Sequence, residues 1–128
     1  MTRITVVAAA IERDGRMLLG LRPPEKRHGG LWEFPGGKVE MEESTMEAIS
    51  RELSEELGLD VSTVGALLES IEDTDSPFVI EFYPVSVTGE PSALEHSEIG
   101  WFAGEAMLTM PLAPADAAFA TWLSSARG

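Results

Sequence analysis

Glu52, Glu55 and Glu56 crowd into one short stretch, directly after Arg51. Around them the chain has a helical period. At 100° per residue, Met46, Ile49, Leu53 and Leu57 form one apolar stripe that should face a core. Glu52 and Glu56, four positions apart, stack beside that stripe, and Glu55 sits on the same flank. On an exposed helix such like-charged pairs cost about 0.2–0.5 kcal/mol each, and more near a core. Arg51 offsets part of the repulsion. A divalent cation would offset more, because carboxylate oxygens suit Mg²⁺ and Mn²⁺. From the carboxylates alone, a solvated acidic helix face is an equal reading, since glutamate is a good helix former.

The elements that must position these residues follow from local signals. Gly36-Gly37 upstream reads as a turn that admits close approach to a ligand. Ser44 with Glu47 makes a capping box, and Gly58-Leu59 supplies a left-handed ending with its hydrophobic contact. The helix is therefore expected over Thr45–Leu57. Before it, residues 4–11 form a strand, Asp14-Gly15 a hairpin turn, and residues 17–21 the return strand. The loop 23–30 is rich in proline, glycine and basic residues, and the short strand 31–34 stops at Pro35. After the helix, strands are expected over 61–71 and 78–87, joined by the polar segment 72–77. A loop covers 89–97, a short strand 99–102 and one helical turn 104–107. A last helix spans 116–125, with Phe119, Trp122 and Leu123 on one face. This order implies an α/β (α+β) class, with a mixed β-sheet sandwiched between helices, in one domain over residues 1–128.

Composition narrows the function classes. The chain of 128 residues is 44% hydrophobic and 24% charged, as in ordinary globular proteins. It has no cysteine, which excludes disulfides, thiol nucleophiles and thiolate metal sites. The net charge of −13 argues against a nucleic acid polymer as partner, since such binding rests on neutralising phosphates. Small anions remain open to it through divalent cations. The apolar run near the N-terminus is too short to span a membrane and is broken by Glu12 and Arg13. A cytoplasmic protein without a membrane partner is expected.

The order of residues is the stronger signal. Gly37, five residues, Glu43, seven residues, Arg51-Glu52-Leu53, one residue, Glu55-Glu56, one residue, Gly58-Leu59 matches the Nudix box at every specified position. The chain resembles a Nudix hydrolase. The paired N-terminal strands, the 31–34 lead-in, the Trp101 region and the Pro-Leu-Ala-Pro-Ala-Asp run extend the resemblance to the MutT branch, over nearly the full length. That branch includes enzymes acting on 8-oxo-dGTP and on cytidine triphosphates. The resemblance implies a Nudix fold and a Mg²⁺-dependent reaction, with Mn²⁺ as a substitute. A nucleoside triphosphate and water would give a monophosphate and pyrophosphate, in a monomer or homodimer. It implies Glu52, Glu55 and Glu56 as metal ligands, joined by the Gly36 carbonyl and by Glu95, six residues before Trp101, with Glu98 as the competitor. Arg51 and Glu43 would orient the helix against the loop. The general base is either Glu52 or Glu95. A catalytically silent Nudix module for sensing or interaction is the other reading, although such a module should have lost box carboxylates.

The same resemblance places Arg22, Glu33, Phe34, Lys38 and Asp116 near the substrate. Phe34 is as readily a core residue as a stacking face for a base. Asp116 departs from the strict 8-oxoguanine enzymes, which carry asparagine there. An ionised aspartate only accepts hydrogen bonds, which suits the amino group of cytosine; a protonated one also donates and could read an oxidised purine. Asp116 also reads as a cap for the last helix. His28 and His96 have no metal-ligand spacing and are read as surface residues, and Trp32 and Trp101 as packing.

Overall fold

The computed structural model describes residues 2–127. Two sheets and three helices make up the fold. Strand β1 (Ile4–Ala10) runs parallel to the long β8 (Phe78–Thr88) and antiparallel to β5 (Gly36–Lys38). The far edge of β8 pairs antiparallel with β6 (Asp60–Val64) and β7 (Glu69–Glu72). A second sheet joins β2 (Glu12–Arg13), β3 (Arg16–Leu21) and β4 (Trp32–Glu33), with β9 (Glu98–Ala103) on the other side of β3. The helices are α1 (Thr45–Leu57), the short α2 (Gly104–Met107) and α3 (Pro114–Arg127).

Side-chain alternation along β1 divides the core. Val7 and Ala9, with Ile11 just beyond the strand, pack with Ile49, Leu53 and Leu57 of α1. Ala8 and Ala10 pack on the opposite face with Phe82, Phe119 and Leu123, the last two from α3. The sheet thus lies between α1 and α3, as the order of elements implied.

Three expectations change. The segment 61–71 is two strands, because β8 carries Pro84 where a donor is needed. Gly65 N–H donates to the Pro84 carbonyl at 2.8 Å, and Leu68 N–H to the Phe82 carbonyl at 2.8 Å. Proline returns no N–H, so pairing lapses between the two contacts. The Gly36-Gly37 turn is instead strand β5, paired close beside β1: a Cβ on Gly36 would collide with the Val7 carbonyl oxygen. The last helix begins at Pro114, a first-turn position that needs no N–H, so Asp116 lies inside the first turn and does not cap it.

Helix α1 has the expected bounds, capping box and left-handed Gly58 (φ 67°). Its buried face is rotated, however. Ala48, Ile49, Leu53, Glu56 and Leu57 are buried, while Met46 is 45% exposed. At 100° per residue, that face is turned roughly 45° from the apolar stripe. The turn carries Glu56 inward, and Met46, in the first turn of the helix, lies outside the buried set. Leu53→Ala should therefore cost about 2–5 kcal/mol in urea unfolding. Met46→Ala should stay within about 1 kcal/mol, and equal losses at the two positions would contradict the rotation.

Candidate active site

Arg51 holds one end of the carboxylate group. Its Nε and Nη2 donate to the two oxygens of Glu43 at 2.7 and 3.0 Å, and Nη2 also donates to the Lys38 carbonyl at 3.0 Å. Its Nη1 donates to Glu52 at 2.6 Å. The guanidinium holds the Glu43 carboxyl below the usual range, and Glu43 in turn raises Arg51. This two-toothed grip ties α1 to β5 and to the loop before the helix. Strand β5 lies so close that a Cβ on Gly37 would come within 2.5 Å of the Glu52 carboxylate.

Glu56 is buried and Glu55 is 53% exposed along its side chain. Glu56 Oε1 has no hydrogen-bond partner. Burial pushes the Glu56 carboxyl up to about 10, and the nearby Glu52, Glu33 and Glu95 add to the rise. Glu95 reaches this group because its loop closes the end of α1. Ser92 N–H donates to the Leu57 carbonyl at 2.9 Å and Leu94 N–H to the Glu56 carbonyl at 3.1 Å. These are carbonyls a helix end leaves unsatisfied. Glu98, the competitor, sits exposed on β9 opposite Leu21.

Beside the carboxylates opens a cleft of about 240 Å³, lined among others by Arg22, Glu33, Phe34, Gly36, Lys38, Phe78 and Asp116. Glu33 joins the two regions. One of its oxygens accepts from Arg22 Nη1 at 2.9 Å, and the other lies 2.9 Å from His96 Nε2. Asp116 Oδ1 accepts from the Phe34 N–H at 2.8 Å. Burial first, and then the charge of Glu33, pushes the Asp116 carboxyl up to about 8. Near neutral pH it is therefore largely protonated, a donor as well as an acceptor. Of the two states that the sequence left open, the enclosure favours the protonated one.

The structure thus gathers Arg51, Glu52, Glu55, Glu56 and Glu95 on one side, and Arg22, Glu33, Gly36, Lys38 and Asp116 on the other. The Phe34 ring belongs to the core, edge-on to Phe82 and Phe119 at 5.8 and 5.2 Å. His96 is not at the surface: its ring is buried, against Gly20 of β3. His28 is half-buried and lines the cleft. A lone histidine gives no periodic or spacing signal that could have placed either. Phe78, with Lys38 Nζ 5.2 Å and Arg27 5.7 Å from its ring, is a further cleft residue with no such signal. Trp32 packs edge-on to Phe102, and Trp101 lies under Arg13, as packing residues.

The donor set fits a hard divalent cation. Its side chains are carboxylates, one buried oxygen lacks a partner, and their mutual repulsion calls for positive charge. Among the described residues, no three acidic or histidine side chains already form a cage. Glu52 is turned to Arg51, and the half-exposed Glu55 lies 3.6 Å from the same guanidinium.

A family profile described as NUDIX domain matches residues 1–123. The chain belongs to the Nudix family, as a hydrolase of the MutT type. It is 46% identical over 119 residues to the CTP pyrophosphohydrolase of Escherichia coli (strain K12), covering 91% of this chain and 87% of that one. It is 33% identical over 120 residues to the 8-oxo-dGTP diphosphatase of Haemophilus influenzae, covering 90% and 88%. Among solved structures, the E. coli ORF135 protein superposes with a TM-score of 0.85 at 42% identity, covering 100% of this chain and 93% of that one. A MutT NUDIX hydrolase from Burkholderia pseudomallei gives 0.84 at 33% identity, covering 94% and 98%. Nudix hydrolases generally use divalent metal ions. No helix among the described residues is long and apolar enough to cross a membrane.

The protonated Asp116 has a consequence for stability. Its folded value of about 8 stands above the reference 3.8, so the folded state holds a proton that the unfolded state releases. Stability should therefore fall as pH rises from about 4 to about 8. An asparagine in its place cannot ionise and keeps an oxygen for the Phe34 N–H. The melting temperature of Asp116→Asn relative to the parent should climb by about 4 °C or more between pH 5 and pH 8. A constant difference would mean that Asp116 is ionised throughout.

Proposed function

We propose that this chain is a Mg²⁺-dependent nucleoside triphosphate pyrophosphohydrolase, converting a nucleoside triphosphate and water to a monophosphate and pyrophosphate. Cytidine triphosphates come first among its substrates and 8-oxo-dGTP second. The observation that carries this reading is the pairing of a complete, partly buried carboxylate group on α1 with an adjoining cleft that ends on Asp116. The 46% identity to a CTP pyrophosphohydrolase supports cytidine ahead of 8-oxoguanine. A silent sensing module has no need of the buried Glu56, which is costly to keep without a cation.

Glu52, Glu55, Glu56 and Glu95, with the Gly36 carbonyl, would hold Mg²⁺, and Mn²⁺ would substitute. The bound cation supplies positive charge to the phosphate oxygens and raises the electrophilicity of phosphorus. The chain's own groups do the rest. Arg51 fixes the orientation of Glu52. Arg22 and Lys38, at the cleft, face the phosphates and the sugar. Asp116 meets the polar edge of the base, accepting and donating in its protonated form. The proton of the attacking water passes to one of two carboxylates, Glu52 or Glu95.

A hydrolysis panel of normal, oxidised and methylated nucleoside triphosphates with Mg²⁺ tests the reading. Cytidine substrates should give the highest kcat/KM; no turnover of any triphosphate would sink it. Glu55→Gln and Glu56→Gln should each lose on the order of 100-fold or more in kcat while remaining folded. Asp116→Ala, which removes both donor and acceptor, should change the kcat/KM ratio between cytidine and 8-oxoguanine nucleotides, and an unchanged ratio removes Asp116 from base recognition.

A further inference from the structure

His96 is the buried polar side chain that none of the roles above uses. Its place is tightly specified. On one side of it, Leu94 N–H is bonded to the Glu56 carbonyl; on the other, Ser97 N–H donates to the Leu21 carbonyl at 2.9 Å. The ring fits only because position 20 is glycine: a Cβ there would lie 2.5 Å from ring atoms Cγ and Cδ2. Nε2 is 2.9 Å from Glu33 Oε2 and 3.7 Å from Glu56 Oε1, while Nδ1 has no partner. With carboxylates facing only Nε2, the proton of the neutral ring belongs on that nitrogen, and Nε2–H donates to Glu33. The shorter distance marks Glu33 as the hydrogen-bond partner and Glu56 as a neighbour.

Beyond Glu33 the connection continues. Its other oxygen takes Arg22 Nη1, and Arg22 Nε donates to the Arg27 carbonyl at 2.6 Å, inside the basic loop. A row of contacts therefore runs from the edge of the carboxylate group to the loop that borders the cleft.

We infer that His96 is a positioning residue for nucleotide binding: it holds Glu33, and through Glu33 the cleft side chain Arg22, in the geometry that receives the nucleotide. This rests on the proposed nucleotide hydrolysis. Without the Nε2–H, Glu33 loses one of its two donors while still facing Glu56, and Arg22 loses a fixed partner. The effect falls first on the cleft, because Glu33 is the hydrogen-bond partner of His96, while Glu52 keeps its own support from Arg51.

The test compares His96→Gln, His96→Asn and His96→Leu. The glutamine amide nitrogen can occupy the place of Nε2. The asparagine amide falls short of it, and leucine has no donor. With CTP and Mg²⁺, the Leu and Asn variants should raise KM about tenfold, with kcat within about threefold of the parent. The Gln variant should stay within about threefold of the parent in KM. Calorimetric titration with CMP in the absence of metal should show the same order of affinities, and titration with Mn²⁺ alone should not distinguish the variants. If Leu does not fold, the Gln and Asn pair decides. Equal KM values for those two would overturn the proposal, as would a fall in kcat at unchanged KM. A parent that turns over no triphosphate refutes the proposed function instead; a parent that does, with Gln and Asn alike, refutes only the role of His96.

Discussion

Gly37 has no side chain, and the Glu52 carboxylate lies where one would be. Much of the site depends on this close approach. A strand with a Cβ at that point could not lie beside α1, and Gly36 makes the same allowance toward β1. Between them the two glycines let β5 pair closely with β1 at the edge of the sheet and still lie against the carboxylate of Glu52. The Arg51 grip on Glu43 and the Lys38 carbonyl then fixes the helix at that distance. Packing and electrostatics act on the same few residues: α1 is positioned by apolar burial from within and by one guanidinium from without.

The polar residues are arranged around opposed tendencies. Glu56 and Asp116 are both buried carboxyls, and burial drives each toward its neutral form. Glu33 stands between them, its charge felt at both and its own two oxygens taken up by Arg22 and His96. One half-buried glutamate therefore links the carboxylate group of α1 and the cleft electrostatically.

Much of this was legible in the sequence, for identifiable reasons. Helix α1 carries strong local signals at both ends, and its bounds follow from Ser44, Glu47 and Gly58 alone. The box fixes which carboxylates gather, because helical spacing converts sequence order directly into position. The rotation of the helix was not legible. Periodicity ranks Met46 with the apolar stripe, whereas the sheet selects a face that includes Ala48 and Glu56. The break between β6 and β7 depends on Pro84, some twenty positions downstream of the gap it causes. His96 and Phe78 gain meaning only from partners far along the chain, which no local pattern encodes. Asp116 was legible as a candidate beside the cleft it does line, but its protonation state is a property of the enclosure built around it.

The loop after β8 completes α1 by bonding to the carbonyls of Glu56 and Leu57. Helix ends ordinarily fray, and loops ordinarily tolerate insertions. Here neither freedom is available separately. Fraying of the last turn would release Ser92 and Leu94 along with Glu56, so the end of the helix and the part of the loop that leads to Glu95 hold or loosen together. A change in the length of this loop should therefore disturb the helix least at residues 89–91, ahead of Ser92, where the chain has not yet engaged the helix.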